Sequence, residues 1–194
     1  MKLYLIRHGQ TNANLERRHS GWWEAELTEL GRTQAQNVGK ILEGLSFDKV
    51  YTSDLLRAVE TQKLALPEID AEQTSLLREI NVGNIGGRYR SDIIAQYGDK
   101  YINDYGVYDF RSYGGEDHAA FCERVGKFLK MLEDSPYESV AAFTHGGLIC
   151  SMLDMCVGAF VDRKIAVCEN CSVSMFEYSD SRWRLKLWNY KGEL

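Results

Sequence analysis

Leu3-Tyr4-Leu5-Ile6-Arg7-His8-Gly9-Gln10-Thr11-Asn12-Ala13-Asn14 decides how this chain is read. Four apolar residues run directly into a cation, an imidazole and a glycine, and small polar residues follow. An apolar run of this kind fits a central strand covered on both faces, so Lys2–Ile6 is expected to be a buried strand. Arg7 and His8 then stand at its carboxyl end, where open α/β sheets bind ligands. Gly9 allows close backbone approach and an unusual backbone angle. An imidazole nitrogen is a competent nucleophile. A guanidinium beside it can hold two phosphate oxygens at once. The stretch therefore reads as an anion site in which His8 takes a phosphoryl group. Taken singly, a histidine after a strand is an ordinary core residue. The rest of the chain has to supply what the chemistry lacks.

Working outward, residues 7–27 lack periodicity and read as a loop ending in Ser20-Gly21-Trp22-Trp23. Thr28 can cap a helix running to about Gly44, with Ala35, Val38, Ile41, Leu42 and Leu45 at helical spacing. A second strand is expected over 47–52. Ser53 and Asp54 are candidate caps for a helix from Leu55 to about Leu66, closed by Pro67. Residues 88–115 are rich in tyrosine, aspartate and glycine, with a helical stretch expected around 91–97. A helix from Glu116 to about Glu133, a strand over 139–143, a helix over 148–157 and two closing strands, 172–178 and 184–188, complete the pattern. Strands alternating with helices predict a three-layer α/β/α fold, a mainly parallel central sheet with helices on both faces. The length of 194 residues suits a single domain over 1–194, with 88–115 as a cap or lid segment.

Composition narrows the partners. A formal net charge of -5 argues against a general nucleic-acid or anionic-membrane binder. The short apolar run before Arg7 is no signal peptide and no segment has the length of a membrane span, so a cytoplasmic protein is expected. Five cysteines, including Cys168-Glu169-Asn170-Cys171, do not read as a disulfide framework. That C-x-x-C lacks a second pair or nearby histidines for zinc. It reads as small residues entering a strand.

A phosphate monoester carries close to two negative charges at neutral pH. Cleaving it takes a nucleophile, cations on the non-bridging oxygens and a proton for the departing alcohol. Arg57, one turn into its helix, can face the same anion as Arg7. His145 in its cationic form can stabilise the charged oxygens, and it precedes Gly146-Gly147 at the end of the third strand. Glu79 can be the general acid and then the base for water. A carboxyl held beside a bound dianion favours its protonated form. Singly, Arg57 reads first as a surface ion pair and Glu79 as a surface carboxylate. Trp22 and Trp23 read first as core or rim packing. The tyrosines at 97, 101, 105, 108 and 113 are either a lid selecting the leaving group or a cap packed over the sheet edge.

Arg7-His8-Gly9, Ser53 with Arg57, Glu79 ahead of Gly83, and His145-Gly146-Gly147 together resemble the histidine phosphatase superfamily, in its phosphoglycerate-mutase-like branch. The resemblance extends through Leu27-Thr28-Glu29-Leu30-Gly31, Thr52 to Ala58, Gly114-Gly115-Glu116 and Asn170-Cys171-Ser172-Val173, and so covers nearly the whole chain in order. It implies a phosphatase that hydrolyses a small phosphate ester through a phosphohistidine on His8, with Glu79 as proton donor. It further implies that Arg7, Arg57 and His145 form the phosphate pocket and that Asn14 assists the phosphate oxygens. Ser20, Gly21 and Gly146 join the substrate-binding set. No cofactor and no metal are implied, since two arginines and two histidines do a metal ion's electrostatic work. A zinc site from His8, His145 and Glu79 is disfavoured by the adjacent arginines. Two other readings stand beside it: a phosphoglycerate-mutase-type transferase and a phospho-ligand-binding module without turnover. The mixed charge of 88–115, with no long insertion of paired arginines, favours hydrolysis over mutase chemistry. The turn after the acid has Ile85 and Gly86 where many family phosphatases carry an aromatic and a glutamate, which leaves the pocket wall open. Substrate identity and oligomeric state are not written in the sequence.

Overall fold

The computed structural model describes residues 1–192. The elements follow in the order β1 (Lys2–Arg7), α1 (Asn12–Leu15), α2 (Glu29–Leu42), β2 (Lys49–Ser53), α3 (Leu56–Ala65), β3 (Glu72–Thr74), α4 (Arg90–Tyr97), α5 (Asp99–Gly106), α6 (His118–Glu133), β4 (Ser139–Thr144), α7 (Gly146–Val157), β5 (Val173–Ser179) and β6 (Arg182–Tyr190). The six strands form one sheet in the order β3-β2-β4-β1-β5-β6. The four on the β3 side are parallel, and β5 and β6 are antiparallel additions.

Strand β1 shows why the sheet is buried on both faces. Leu3 and Leu5 point into a core with α6 and α7, where Phe121, Val125, Phe128, Leu148 and Met152 meet them. Ile6 points the other way, into a core with Ala35, Val38 and Leu42 of α2 and Ala65 of α3. Period-two alternation thus feeds two helical layers from one strand. The expected three-layer α/β/α architecture is the observed one.

Several boundaries differ from the sequence expectation, each for a local reason. The loop 7–27 contains α1, a single turn held by a capping box between Thr11 and Asn14. Thr28 caps α2 as expected, accepting from Gly31 N at 3.0 Å. Ser53 and Asp54 do not cap α3. Its N-cap is Leu55, with no side-chain bond, because Asp54 is drawn into a two-pronged pair with Arg78 at 2.7 Å. Likewise α6 begins at His118 under an Asp117 cap, because Glu116 is engaged elsewhere.

Gly9 requires space rather than a special backbone. It is not among the left-handed glycines. A Cβ there would lie 2.4 Å from the Gly31 carbonyl oxygen, and one on Gly31 would lie 2.0 Å from that of Gln10. The chain leaving β1 packs backbone to backbone on the first turn of α2. The five cysteines are free thiols, and Cys150, Cys168 and Cys171 are buried.

Candidate active site

The carboxyl ends of β2, β4 and β1 are neighbours in the sheet, and they deliver Ser53, His145 and His8 to one edge. His8 is 4% exposed. Its backbone is clamped on three sides. His8 N donates to Thr144 O at 2.9 Å, Asn170 donates to His8 O at 3.0 Å, and Gly9 N donates to Thr61 Oγ1 at 3.0 Å. The side chain makes one bond, from Nδ1 to the Gly9 carbonyl oxygen at 2.7 Å. A carbonyl only accepts, so Nδ1 carries the proton and Nε2 keeps its lone pair.

Arg7 and Arg57 are both held by carbonyls. Arg7 donates to Cys168 O. Arg57, fully buried, donates to Gly21 O at 2.8 Å and Trp23 O at 3.2 Å. The Nε of each is buried without a partner. Carbonyls fix a guanidinium without cancelling its charge, so the positive field is left for a ligand. Burial lowers the Arg57 pKa to about 10, which still leaves it charged at neutral pH.

His145 stands behind His8, ring centroids 5.2 Å apart, and is fully buried. Its Nε2 is hydrogen-bonded to Ser53 Oγ at 2.9 Å, and Nδ1 has no partner. Burial, then the charge of Arg57, holds its pKa well below the ordinary value. Burial beside Arg57 thus disfavours the cationic form in which the sequence reading gave His145 its role. A fully desolvated imidazole beside two arginines stays neutral until an anion offsets their charge. His8 is likewise held neutral by burial, Arg57 and Arg7.

Glu79 reaches the edge from the segment after β3. Its Oε1 accepts from Ile80 N at 2.9 Å and its Oε2 from Gly147 N, in the first turn of α7, at 3.0 Å. Arg124 of α6 ties that segment down, donating to the carbonyls of Leu76, Arg78 and Glu79 at 3.1, 2.8 and 3.0 Å. Glu116 pairs with Arg124 at 2.9 Å and also accepts from Asn81 N at 2.8 Å.

These groups open onto a cavity of about 670 Å³, in the range for a small-molecule site. His8, Arg7, Arg57, Glu79, Asn14, Ser20 and Gly21 line it. His145 and Gly146 lie behind that surface. Gly146 abuts Arg7, whose Nε would be 3.3 Å from a Cβ there. Ile85 is not part of the wall but fully buried in the core. The wall is formed instead by Ile80, Val82, Tyr105, Tyr108 and Phe110. The tyrosines divide: Tyr105 and Tyr108 face the cavity, whereas Tyr101 and Tyr113 are buried in the core. Trp22 and Trp23 are exposed and outside the cavity lining, and Trp22 donates to Glu79 O at 2.7 Å. Among the described residues, no three histidine, cysteine or carboxylate side chains converge as metal ligands.

Sequence reasoning left Thr61, Gly147, Arg124 and Asn170 without a role. Asn170 and Gly147 carried a usable signal, as parts of the Asn170-Cys171-Ser172-Val173 and His145-Gly146-Gly147 matches. Here Asn170 bonds His8 O and Asn14 Oδ1.

The neutral histidines make stability depend on pH. His8 and His145 are held well below 6.5, and His19 is lowered to about 4 by burial and Arg90. Below pH 6.5 the unfolded chain takes up protons that the folded chain does not. The unfolded state then binds more protons, so stability falls with pH, by about 1.4 kcal/mol per pH unit for each histidine. Their contribution is complete above the unfolded value and is lost progressively as pH drops. The urea midpoint is expected to fall between pH 7 and pH 5. A midpoint that is flat or rises over that window would mean these imidazoles charge freely in the fold.

Residues 3–191 match the family model described as the histidine phosphatase superfamily, branch 1. Among solved structures, the chain is similar to an alpha-ribazole phosphatase from Shigella flexneri (28% identity, TM-score 0.87, 98% of this chain and 97% of that one). It is also similar to a mycobacterial glucosyl-3-phosphoglycerate phosphatase (27%, TM-score 0.86, 97% and 98%). A phosphoglycerate mutase from Bacillus anthracis (24%, TM-score 0.84, 98% and 93%) shares the fold.

Proposed function

This chain belongs to the histidine phosphatase superfamily, branch 1, and from that premise we propose that it is a metal-independent phosphatase that hydrolyses a small phosphate monoester through a phosphohistidine on His8. The observation that carries the reading is the bond from His8 Nδ1 to the Gly9 carbonyl. It fixes the tautomer and leaves Nε2 as an uncharged nucleophile at the cavity.

The ester's phosphoryl group sits against Arg7 and Arg57, with Asn14 on its oxygens. The dianion offsets the charge that holds His145 neutral, so His145 then adds a donor or a proton to the pocket. Nε2 of His8 forms a bond to phosphorus as the bond from phosphorus to the ester oxygen breaks. Glu79, protonated at this stage, gives its proton to the departing oxygen and the alcohol leaves. In the second half, Glu79 as carboxylate takes a proton from water. The water oxygen bonds to phosphorus, the N–P bond breaks, and His8 returns neutral with inorganic phosphate released. Charge builds on the phosphoryl oxygens in both transition states, where prearranged guanidiniums need no reorganisation. Ser20 and Gly21 contact the alcohol portion.

The test is direct. Protein incubated with a ³²P-labelled ester and quenched in base, where phosphohistidine survives, is expected to carry label on His8. Turnover without label on His8 rules out the covalent route. EDTA is expected to leave activity intact, and loss restored by zinc would overturn the metal-free account. Supplying 3-phosphoglycerate with a bisphosphate primer and comparing isomer with free phosphate separates hydrolysis from mutase transfer.

A further inference from the structure

Of the wall residues Ile80, Val82, Tyr105, Tyr108 and Phe110, Tyr108 alone holds a left-handed backbone, φ 56. A residue with a Cβ keeps that conformation where its surroundings over-determine it. Part of what holds Tyr108 lies outside the cavity. The Arg163 guanidinium lies over the Tyr108 ring, carbon to centroid 4.9 Å, and over the Phe160 ring at 4.3 Å. Phe160 meets Tyr108 edge-on with centroids 5.7 Å apart, and His118 does so at 6.5 Å. Arg163, Phe160 and His118 are all absent from the cavity lining, so whatever they do to a ligand there they do through Tyr108.

Arg163 is itself fixed from α7. Asp154, 3% exposed, accepts from Arg163 Nη1 at 2.9 Å and also from Arg163 Nη2. The same carboxylate accepts from His118 Nε2 at 2.9 Å and from Val161 N at 2.8 Å. A two-pronged pair fixes the plane of a guanidinium as well as its place. That plane is what packs against an aromatic ring. Gly147 N, which holds Glu79, stands about two turns earlier on the same helix. Thus α7 secures the carboxyl from its first turn and the aromatic wall from further along.

We propose that Asp154 and Arg163 are positioning residues for substrate choice: as a pair they set the Tyr108 ring in the cavity wall, and with it a seat for an ester whose alcohol has a flat, apolar body. The role in choosing an ester rests on the phosphatase reading, but the seat does not. Without the pair, the strained backbone at Tyr108 loses a support and the ring is free to leave the wall.

Calorimetry with benzylphosphonate and methylphosphonate tests this. Each offers a phosphonate to Arg7 and Arg57, neither has an ester bond to hydrolyse, and they differ in the phenyl ring alone. The unmodified protein is expected to bind the benzyl probe about tenfold tighter or better. Arg163→Met leaves Asp154 its bonds from His118 and Val161, and is expected to shrink that advantage to about threefold or less. Arg163→Lys is expected to do the same, since a point charge neither grips a carboxylate with two prongs nor stacks as a plane. Tyr108→Leu is expected to lower the advantage to the same extent, and adding Arg163→Met to it is expected to lower it no further. Such non-additivity reports action through Tyr108, which a general loosening of the fold does not produce. No advantage in the unmodified protein, a full advantage in Arg163→Met or Arg163→Lys, or losses that add in the double variant would each overturn the proposal. Phosphate release from benzyl phosphate by the unmodified protein tests the phosphatase reading separately. Absence of release, with the binding pattern intact, would sink that reading and leave the role of the pair standing.

Discussion

Replacing His8 by alanine is expected to abolish phosphate release, with a loss of about 10⁴-fold or more, the scale seen when a covalent nucleophile is removed. No nearby group can take over. The next imidazole, His145, is fully buried behind His8 and does not line the cavity. Water could attack directly only without the step that splits the reaction in two. The fold is expected to survive, because what holds position 8 is backbone. The bonds to Thr144, Asn170 and, through Gly9, Thr61 involve no atom of the imidazole. Thermal unfolding with a cooperative transition near that of the unmodified protein would establish this. Single-turnover assays on the same preparation then read the chemistry alone. Retention of more than roughly a hundredth of the activity would show that His8 is not the nucleophile.

The groups in this reaction were legible in the sequence to different degrees, and the difference is physical. Arg7, His8 and His145 stand just after apolar runs long enough to be strands, so topology alone brings them to one edge. Arg57 follows the same rule through the first turn of α3. Glu79 has no such strand of its own length. β3 is three residues, 72–74, two of them exposed, too short and too wet for a periodicity to be seen. The chemistry called for a proton donor, but only the family resemblance singled out Glu79 among the carboxylates. Which partner holds which group was not legible, because the partners are far away in sequence. Arg124 meets Glu79 from 45 residues away and Gly147 from 68 residues away. The caps expected at Ser53 and Asp54 failed for the same reason. A residue type suited to a local bond was claimed by Arg78, a partner 24 residues away.

Residues 88–115 are harder still to read. Their tyrosines serve two ends at once: Tyr101 and Tyr113 fill core, and Tyr105 and Tyr108 line the cavity. No spacing separates the two kinds. Gly98, at φ +56, breaks the segment into α4 and α5, yet Tyr101 and Tyr105 share α5 and still divide between core and cavity.

Glu79→Gln is the second substitution with a large expected effect, about 10²- to 10⁴-fold on turnover of an alkyl phosphate. The amide is nearly the same size and its oxygen can still accept from Gly147 N, although its NH2 cannot accept from Ile80 N, so one of the two anchoring bonds is kept while proton transfer is lost. The loss is expected to be unequal between the two half-reactions. An alkoxide is a poor leaving group and needs the proton, whereas p-nitrophenolate departs without one. With p-nitrophenyl phosphate the first half should therefore run nearly as in the unmodified protein. The second half still needs a base to deprotonate water, and it should stall. The expected signature is a burst of p-nitrophenol close to one equivalent per protein, with phosphate retained on His8 in a base quench. Gly147→Ala provides the positional counterpart. A Cβ there would lie 2.2 Å from Glu79 Oε1, so the carboxylate must swing away while keeping its acidity. If Glu79 works through its place at the cavity, both variants slow the second half-reaction, and Gly147→Ala alone keeps the pH dependence of a carboxyl. A Glu79→Gln protein that turns over p-nitrophenyl phosphate steadily, with no burst and no retained label, would assign the base to another group.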